Sequence, residues 1–187
     1  GSNGDYAKDL LKLNDGYIFT ASTWSNDGNV NGLHGYSDIW VVRLDSEWAI
    51  QWQKCIGGTS YESPVYIDQT NENGFVIIGS TSSQNGDVSN NNSYPGNDDI
   101  WVLKLSSMGE LEWEHCFGSM HDEAFHYKHV VMKMDDYNYM LLASADNSND
   151  GDVQCDFHGY YGHDGWLFEI KDCSLYMPAT PNRPTGS

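Results

Sequence analysis

The run Gly74-Phe75-Val76-Ile77-Ile78-Gly79-Ser80-Thr81 has two further copies in this chain of 187 residues. The first copy is Gly16-Tyr17-Ile18-Phe19-Thr20-Ala21-Ser22-Thr23, and the third is Asn138-Tyr139-Met140-Leu141-Leu142-Ala143-Ser144-Ala145. A fixed internal period indicates a repeat architecture, in which each unit needs its neighbours to bury its apolar faces.

A turn and a tryptophan-containing strand follow each copy. The turns contain Asp27-Gly28, Asn85-Gly86 and Asp150-Gly151, and the later strands are centred on Trp40, Trp101 and Trp166. These tryptophans are 61 and 65 residues apart, and Trp52 and Trp113 recur with the same period. Because all five follow the repeat, we expect them to pack in the core or between units.

The chain is strongly acidic. It has 27 acidic and 9 basic residues, a net charge of −18, and an aromatic fraction of 13%. The aromatic content argues against global disorder. The negative field repels nucleic acid and anionic lipid, so we exclude both as main partners. No apolar run approaches the ~18 residues of a membrane helix, and membrane insertion is not expected.

Strand patterns dominate the chain. In the central unit they predict strands over Phe75–Ser80, Ile100–Leu105, Leu111–Cys116 and Tyr127–Met134. The almost wholly apolar run Ile100–Leu105 predicts a strand that is covered on both faces. The segment Tyr6–Leu13 has a helix-like pattern, but it aligns with strand positions of the other units.

Four short antiparallel strands per repeat predict an all-β fold of β-propeller-like blades. We expect one domain over residues 1–177, with repeats at about 4–58, 59–118 and 119–177, and a proline-rich tail at 178–187. Propellers have at least ~4 blades, so three repeats leave the ring incomplete. Three explanations stay open: a fragment of a longer propeller, a ring completed by a second copy, or an unusual compact fold. We also expect the N-terminal strand to complete the C-terminal sheet.

The repeat also resembles a known family. The segments Gly74–Thr81, Asn85–Val88, Asp99–Leu105 and Gly109–Trp113 are similar to the repeat of secreted β-propeller proteins of Bacteroidota. The similarity covers about residues 4–176. The resemblance implies an exported, extracellular or cell-surface binding module. The chain departs from the family pattern in having three units, cysteines where a small polar residue is usual, and no sorting tail.

Four cysteines are present. Cys55 and Cys116 occupy equivalent places in successive units, which usually lie farther apart than a disulfide permits. We therefore expect both to be free and buried. Cys155 and Cys173 flank the third tryptophan strand, and a local bridge between them stays open.

The turns after each copy are rich in Asp, Asn and Gly. Calcium prefers carboxylate, amide and carbonyl oxygens, so the turns and the acids before each tryptophan strand are candidate ligands of a structural calcium ion. Tight turns use the same residue types without any metal, and this alternative stays open. The candidate metal ligands are Asp27, Asn29, Asp38, Asp87, Asp99, Asp150, Asp152 and Asp164.

A histidine-rich segment occurs only once. It contains His121, His126 and His129 beside Asp122 and Glu123, the mixture that builds metal sites and acid–base pairs. On a strand His126 and His129 face opposite sides, which favours polar decoration of a loop. The Asp-Glu pair has counterparts at Asp5 and Glu62, so we expect part of it to be repeat scaffold.

Some aromatic residues do not follow the core pattern. Trp24 and Trp48 have no counterparts in the other units, and tyrosines recur in the matching loops. Such residues stack on sugar rings or anchor partner proteins, although isolated surface aromatics are an open alternative. The candidate ligand-binding residues are Trp24, Tyr36, Trp48, Tyr94, Tyr160 and Tyr161.

These patterns favour one function over two others. The first hypothesis is a non-catalytic extracellular module that recognises a glycan or a protein through its aromatic and Asp/Asn-rich loops. The second is a structural or assembly subunit whose blades complete a ring with another copy of itself, as a homo-oligomer, or with another chain. The third is a glycan-cleaving enzyme with paired carboxylates.

Overall fold

A computed structural model describes residues 1–91, 93–125, 131–135, 138–145, 151–153 and 164–170 of the chain. The described part is all-β and contains no α-helix, and hence no helix that is long and apolar enough to cross a membrane. Its strands are β1 (Asp5–Leu13), β2 (Gly16–Thr23), β3 (Asp38–Asp45), β4 (Ile50–Ile56), β5 (Glu62–Gln69), β6 (Phe75–Thr81), β7 (Asp99–Leu105), β8 (Leu111–Phe117), β9 (Glu123–Ala124), β10 (Val131–Lys133), β11 (Tyr139–Ala145) and β12 (Asp164–Ile170).

The strands form three antiparallel sheets of four strands each, and the first two sheets follow chain order. The first sheet has the order β1-β2-β3-β4 and the second has the order β5-β6-β7-β8. In the third sheet the order is β10-β11-β12, with β9 also paired to β11. The predicted all-β class and the four-stranded antiparallel sheets are confirmed, and the described strands do not close into a ring.

The predicted strand set of the central unit needs a correction. Part of the run Tyr127–Met134 is β10, which pairs with β11 of the third sheet rather than with the second sheet. The strand that the prediction missed is β5, which contains Pro64 and polar residues. Proline is tolerated there because β5 is an edge strand and its register shifts between Pro64 and Tyr66.

The N-terminal strand also differs from the expectation. The segment with the helix-like pattern is strand β1, and it pairs with β2 along its whole length within the first sheet. It therefore does not complete the C-terminal sheet. A register shift between Ala7 and Asp9 matches the shift in β5, so β1 is the first strand of its own repeat.

The sheets pack face to face. One apolar cluster joins the first and second sheets, with Ile18, Val41 and Ile77 among its members. A second cluster joins the second and third sheets, with Ile78 and Leu141 among its members. Every residue of β7 is buried, which confirms the prediction of a strand covered on both faces. Alternating side chains of the second sheet thus serve two different interfaces.

The repeated tryptophans occupy equivalent positions. Trp40 lies between Ala21 and Cys55 in the strand register, and Trp101 lies between Gly79 and Cys116. Trp166 likewise lies opposite Ala143. The indole N–H of Trp40 donates to Gln53 Oε1 at 2.7 Å, and that of Trp101 donates to Glu114 Oε2 at 2.7 Å. The sequence repeat is therefore a repeat of structure and of side-chain contacts.

Candidate functional site

The long connections of the chain lie at one edge of the sheets. The first sheet ends there at Asp5, Thr23, Asp38 and Ile56, and the second at Glu62, Thr81, Asp99 and Phe117. This edge, which we call the loop edge, carries the loops 24–37 and 82–98 and the links 57–61 and 118–122 between sheets. The opposite edge of the first two sheets carries only short turns.

The structure separates the predicted aromatic residues. Trp24, Tyr36 and Tyr94 lie in loops of the loop edge. Trp48 lies in the short turn between β3 and β4 at the opposite edge, where it has a φ of 69° and stacks on Tyr17 with ring centroids 4.3 Å apart. The candidates Tyr160 and Tyr161 lie outside the described residues.

The loop edge carries three aromatic pairs. Tyr36 stacks on Tyr61 with centroids 5.2 Å apart and planes 12° apart, and these side chains are 66% and 51% exposed. Tyr94 meets His121 edge to face at 5.9 Å in the junction between the second and third sheets. In the first sheet Tyr6 meets Trp24 edge to face at 5.6 Å. Sequence analysis did not find Tyr6 or Tyr61, because their partners come from another strand or loop.

Backbone contacts hold the two tyrosine loops in similar positions. The amide N–H of Tyr36 donates to the carbonyl of Ser60 at 3.1 Å, and that of Tyr94 donates to the carbonyl of Met120 at 3.0 Å. Just beyond, Glu62 N–H donates to Ser37 O at 2.9 Å. The aromatic rings therefore project from loops that are tied to the link between successive sheets.

The Gly-Asp turns connect neighbouring sheets. Asp87, in the second unit, accepts a hydrogen bond from Gly57 N–H at 3.1 Å through its carboxylate and returns one from its own amide to Gly57 O at 3.0 Å. Asp152 makes the same two contacts with Gly118, at 3.3 Å and 2.9 Å. Each turn therefore fastens its sheet to the end of the preceding one, and the recurrence of Asp has a structural reason.

A pair of buried acids lies beneath each link. Asp38 is fully buried and Glu62 is 1% exposed, and both carboxyl groups approach Gly57. At the next junction a Cβ atom on Gly118 would lie 2.5 Å from Asp99 Oδ1 and 2.6 Å from Glu123 Oε2. Only glycine fits at such a place, because any side chain would meet the two acids.

Protein donors hold one acid of each pair. Glu62 accepts hydrogen bonds from Gly58 N–H at 3.0 Å and from the Thr81 hydroxyl at 2.8 Å. Glu123 accepts from the amide and hydroxyl of Ser119 at 2.8 Å and 2.6 Å. The other acids differ, because Asp38 Oδ2 lies 3.0 Å from the amide nitrogen and 2.8 Å from the ring Nδ1 of His34, whereas Asp99 Oδ1 is buried without a hydrogen-bond donor among the described residues.

Burial changes the acidity of these groups. It raises the pKa of Asp99 to about 8, an effect that the negative charges of Glu123 and Asp152 increase. Burial likewise raises the pKa of Asp38 and of Glu62. Since two carboxylates cannot both ionise easily in a buried site, the Asp99–Glu123 pair is expected to retain a proton near neutral pH. The counterpart acids at Asp5 and Glu62 begin equivalent strands, which confirms the predicted scaffold role.

The candidate metal ligands do not form one site. Asp27 and Asn29 are exposed, and Asp27 accepts from Ser2 N–H at 2.6 Å. Asp150 and the side chain of Asp164 lie outside the described part of the chain. Within that part, no three His, Cys, Asp or Glu side chains group closely enough to hold a metal ion. Calcium binding stays a prediction, and comparing the melting temperature with and without a chelator tests it.

The remaining chemical groups are mostly inert. Cys55 and Cys116 are free and buried, as predicted. Burial raises the pKa of the Cys55 thiol to about 12 and that of Cys116 in the same direction, which disfavours the reactive thiolate. His126, His129, Cys155 and Cys173 lie outside the described residues.

Comparison with known proteins gives no assignment. No protein-family model matches the chain, and no curated protein matches it in sequence. The interpretation of the loop edge therefore depends on its geometry.

Proposed function

We propose that this chain is an extracellular, non-catalytic module of propeller-type blades that binds a neutral glycan at its loop edge. The observation that carries the proposal is the recurrence of an aromatic pair with at least one exposed ring at the loop edge, at Tyr36–Tyr61, Tyr94–His121 and Tyr6–Trp24. Aromatic faces pack on the apolar C–H faces of sugars while their polar tips remain hydrated.

Polar groups beside these rings supply hydrogen bonds for sugar hydroxyls. Asn3 lies with Gly4 around Tyr6 and Trp24, in an open cleft. The exposed amide of Asn85 exchanges hydrogen bonds with Thr59, which belongs to the same link as Tyr61. The net charge of −18 disfavours sulfated and uronic-acid glycans, so a neutral ligand fits better.

The positions of the acids support a binding role over hydrolysis. A glycosidase needs two carboxyl groups at the surface of a cleft, on either side of the sugar bond. The acid pairs beneath Gly57 and Gly118 have almost fully buried side chains, so neither pair can flank a bound sugar. The resemblance to secreted bacterial propellers adds the expectation of export.

A glycan array followed by fluorescence titration tests the proposal. We expect Tyr36→Ala and Tyr61→Ala each to weaken binding of the best neutral glycan by about two- to tenfold, since a lost stacking contact is worth about 0.5–1.5 kcal/mol. Trp48→Ala is the matched control, because Trp48 is an exposed, stacked aromatic at the opposite edge.

Three results would contradict the proposal. They are the absence of any bound glycan, an equal loss of affinity in the Trp48 variant, and release of shortened sugars on incubation. If the chain bound a protein but no glycan, the module would be a protein-recognition module instead.

A further inference from the structure

The two outer sheets of the stack each have an apolar face that no further sheet of the described residues covers, although Ala21 and Val42 at the centre of the first sheet's face are 2% and 1% exposed. The second sheet is packed on both sides, by the first sheet and by the third. The three sheets repeat one unit. The partner of a covered face in the second sheet therefore predicts the partner of the equivalent exposed face in an outer sheet. This comparison does not depend on the proposed function.

The third sheet exposes aliphatic residues that its counterpart buries. Leu142 and Leu167, which are cross-strand neighbours, are 49% and 64% exposed. The equivalent residues of the second sheet are Ile78 and Val102, and both are 0% exposed because the third sheet covers them. Met132 in β10 extends the exposed surface, with 57% exposure. We call this surface the third-sheet face.

The first sheet exposes the opposite face of the repeat. Leu10 is 58% exposed, whereas its equivalent in β5, Ile67, is 3% exposed under the first sheet. Trp40 is partly exposed, whereas the equivalent Trp101 is fully buried. The exposed Trp48 adjoins this surface through its stack on Tyr17. We call this surface the first-sheet face.

The third-sheet face and the first-sheet face correspond to the two sides of the repeat that pack on each other within the chain. Within the chain, the Ile18 side of the first sheet packs on the Ile77 side of the second. The Ile78 side of the second sheet then packs on the third sheet. The third-sheet face is equivalent to the Ile18 side, and the first-sheet face is equivalent to the Ile77 side. A contact between them would continue an interface that the chain already makes twice.

We propose that the third-sheet face of one copy of this chain packs on the first-sheet face of a second copy, and reciprocally, so that two chains form one six-sheet assembly. A head-to-tail contact of this kind closes when the rotation between units permits it. Six sheets lie within the usual range of about 4–8 propeller blades, whereas three do not. Uncovered aliphatic patches of this kind mark association surfaces.

Light scattering of the native particle, at low and high protein concentration, tests the proposal. We expect twice the 21.0 kDa mass of one chain. Because both copies are strongly acidic, the dimer should be more stable at high salt, which screens their repulsion. Leu142→Glu/Leu167→Glu should give the mass of one chain with an unchanged circular dichroism spectrum.

Two further variants make the test specific. Met108→Glu/Leu111→Glu is the control, since it adds the same charge at exposed positions of the second sheet, and it should remain dimeric. Leu10→Glu/Trp48→Glu should be monomeric like the third-sheet variant. Mixing the two monomeric variants should restore part of the dimer, because the mixed pair retains one interface with both faces intact.

The proposal fails if the wild-type chain has the mass of one copy under all these conditions. It also fails if the dimer survives both interface variants, since another surface would then hold it. Growth into larger open-ended particles would show that the two faces meet but that two copies do not close, which overturns the six-sheet assembly.

Discussion

At the scale of single residues, glycine and buried acid occur together at each junction between sheets. Gly57 lies over Asp38 and Glu62, and Gly118 lies over Asp99 and Glu123. The acids approach the link closely because glycine has no side chain. The recurrence of these glycines in the sequence therefore follows from packing against carboxyl groups as well as from turn geometry.

Substitution of Gly118 tests this packing. Gly118→Ala should destabilise the protein by about 1–3 kcal/mol, because the added Cβ overlaps with Asp99 Oδ1 and Glu123 Oε2. In a thermal melt a chain of this size loses roughly 2–4 °C of Tm per kcal/mol. Gly165→Ala is the control, since its Cβ would only reach Leu142 at 3.9 Å. Equal melting temperatures for the two variants would contradict the account.

The buried acid pair predicts a dependence of stability on pH. The pKa of Asp99 is about 8 in the folded chain and about 3.9 in an unfolded one. Protonated Asp99 therefore contributes stability that is complete below about pH 4 and is lost as the pH rises toward 8. Burial raises the pKa of Asp98 to about 6, with an effect of the same sign.

Urea unfolding between about pH 5 and pH 8 measures this effect. The wild-type free energy of unfolding should fall over this range, and Asp99→Asn should flatten the slope because an amide does not titrate. A slope of the same size in the variant would show that other groups dominate.

At the scale of elements, the Gly-Asp turn joins its sheet to the preceding sheet through hydrogen bonds. Asp87→Ala removes the carboxylate that accepts from Gly57 N–H and leaves that amide without its acceptor. The expected cost is about 1–2 kcal/mol, measured as the change in the urea midpoint. Glu47→Ala, at an exposed acid of the β3–β4 turn, should change stability by less than about 0.5 kcal/mol. Equal stability of the two variants would contradict a stabilising role of the Asp87–Gly57 contact.

The elements also show how far sequence reasoning extends. The strands around Trp40 and Trp101 were predictable, since an apolar run of fixed length recurs with a period. Strand β5 was missed, because Pro64 and its polar neighbours hide a strand whose irregular register tolerates them. The acid pairs at Glu62 and Glu123 were predicted only as scaffold, because their partners Asp38 and Asp99 are distant in sequence. The pairing of Tyr36 with Tyr61 likewise depends on which sheets become neighbours.

At the scale of the whole molecule, stacking of equivalent sheets explains the burial pattern. The middle sheet is covered on both faces, whereas the first and third sheets expose opposite faces of the repeat. Polar contacts between the first strands of successive sheets also stabilise the stack. Ile67 N–H donates to Asp9 Oδ2 at 3.0 Å, and Lys133 Nζ lies 2.6 Å from Asp68 Oδ2.

Hydrogen exchange measured peptide by peptide is the most direct test of this stacking. In the monomeric Leu10→Glu/Trp48→Glu variant, amides of β6 and β7 should exchange most slowly, because both faces of their sheet are packed, whereas those of β12 should exchange much faster. Exchange in β12 as slow as in β7, or a β7 that exchanges as fast as the outer strands, would contradict the stacked arrangement of the three sheets.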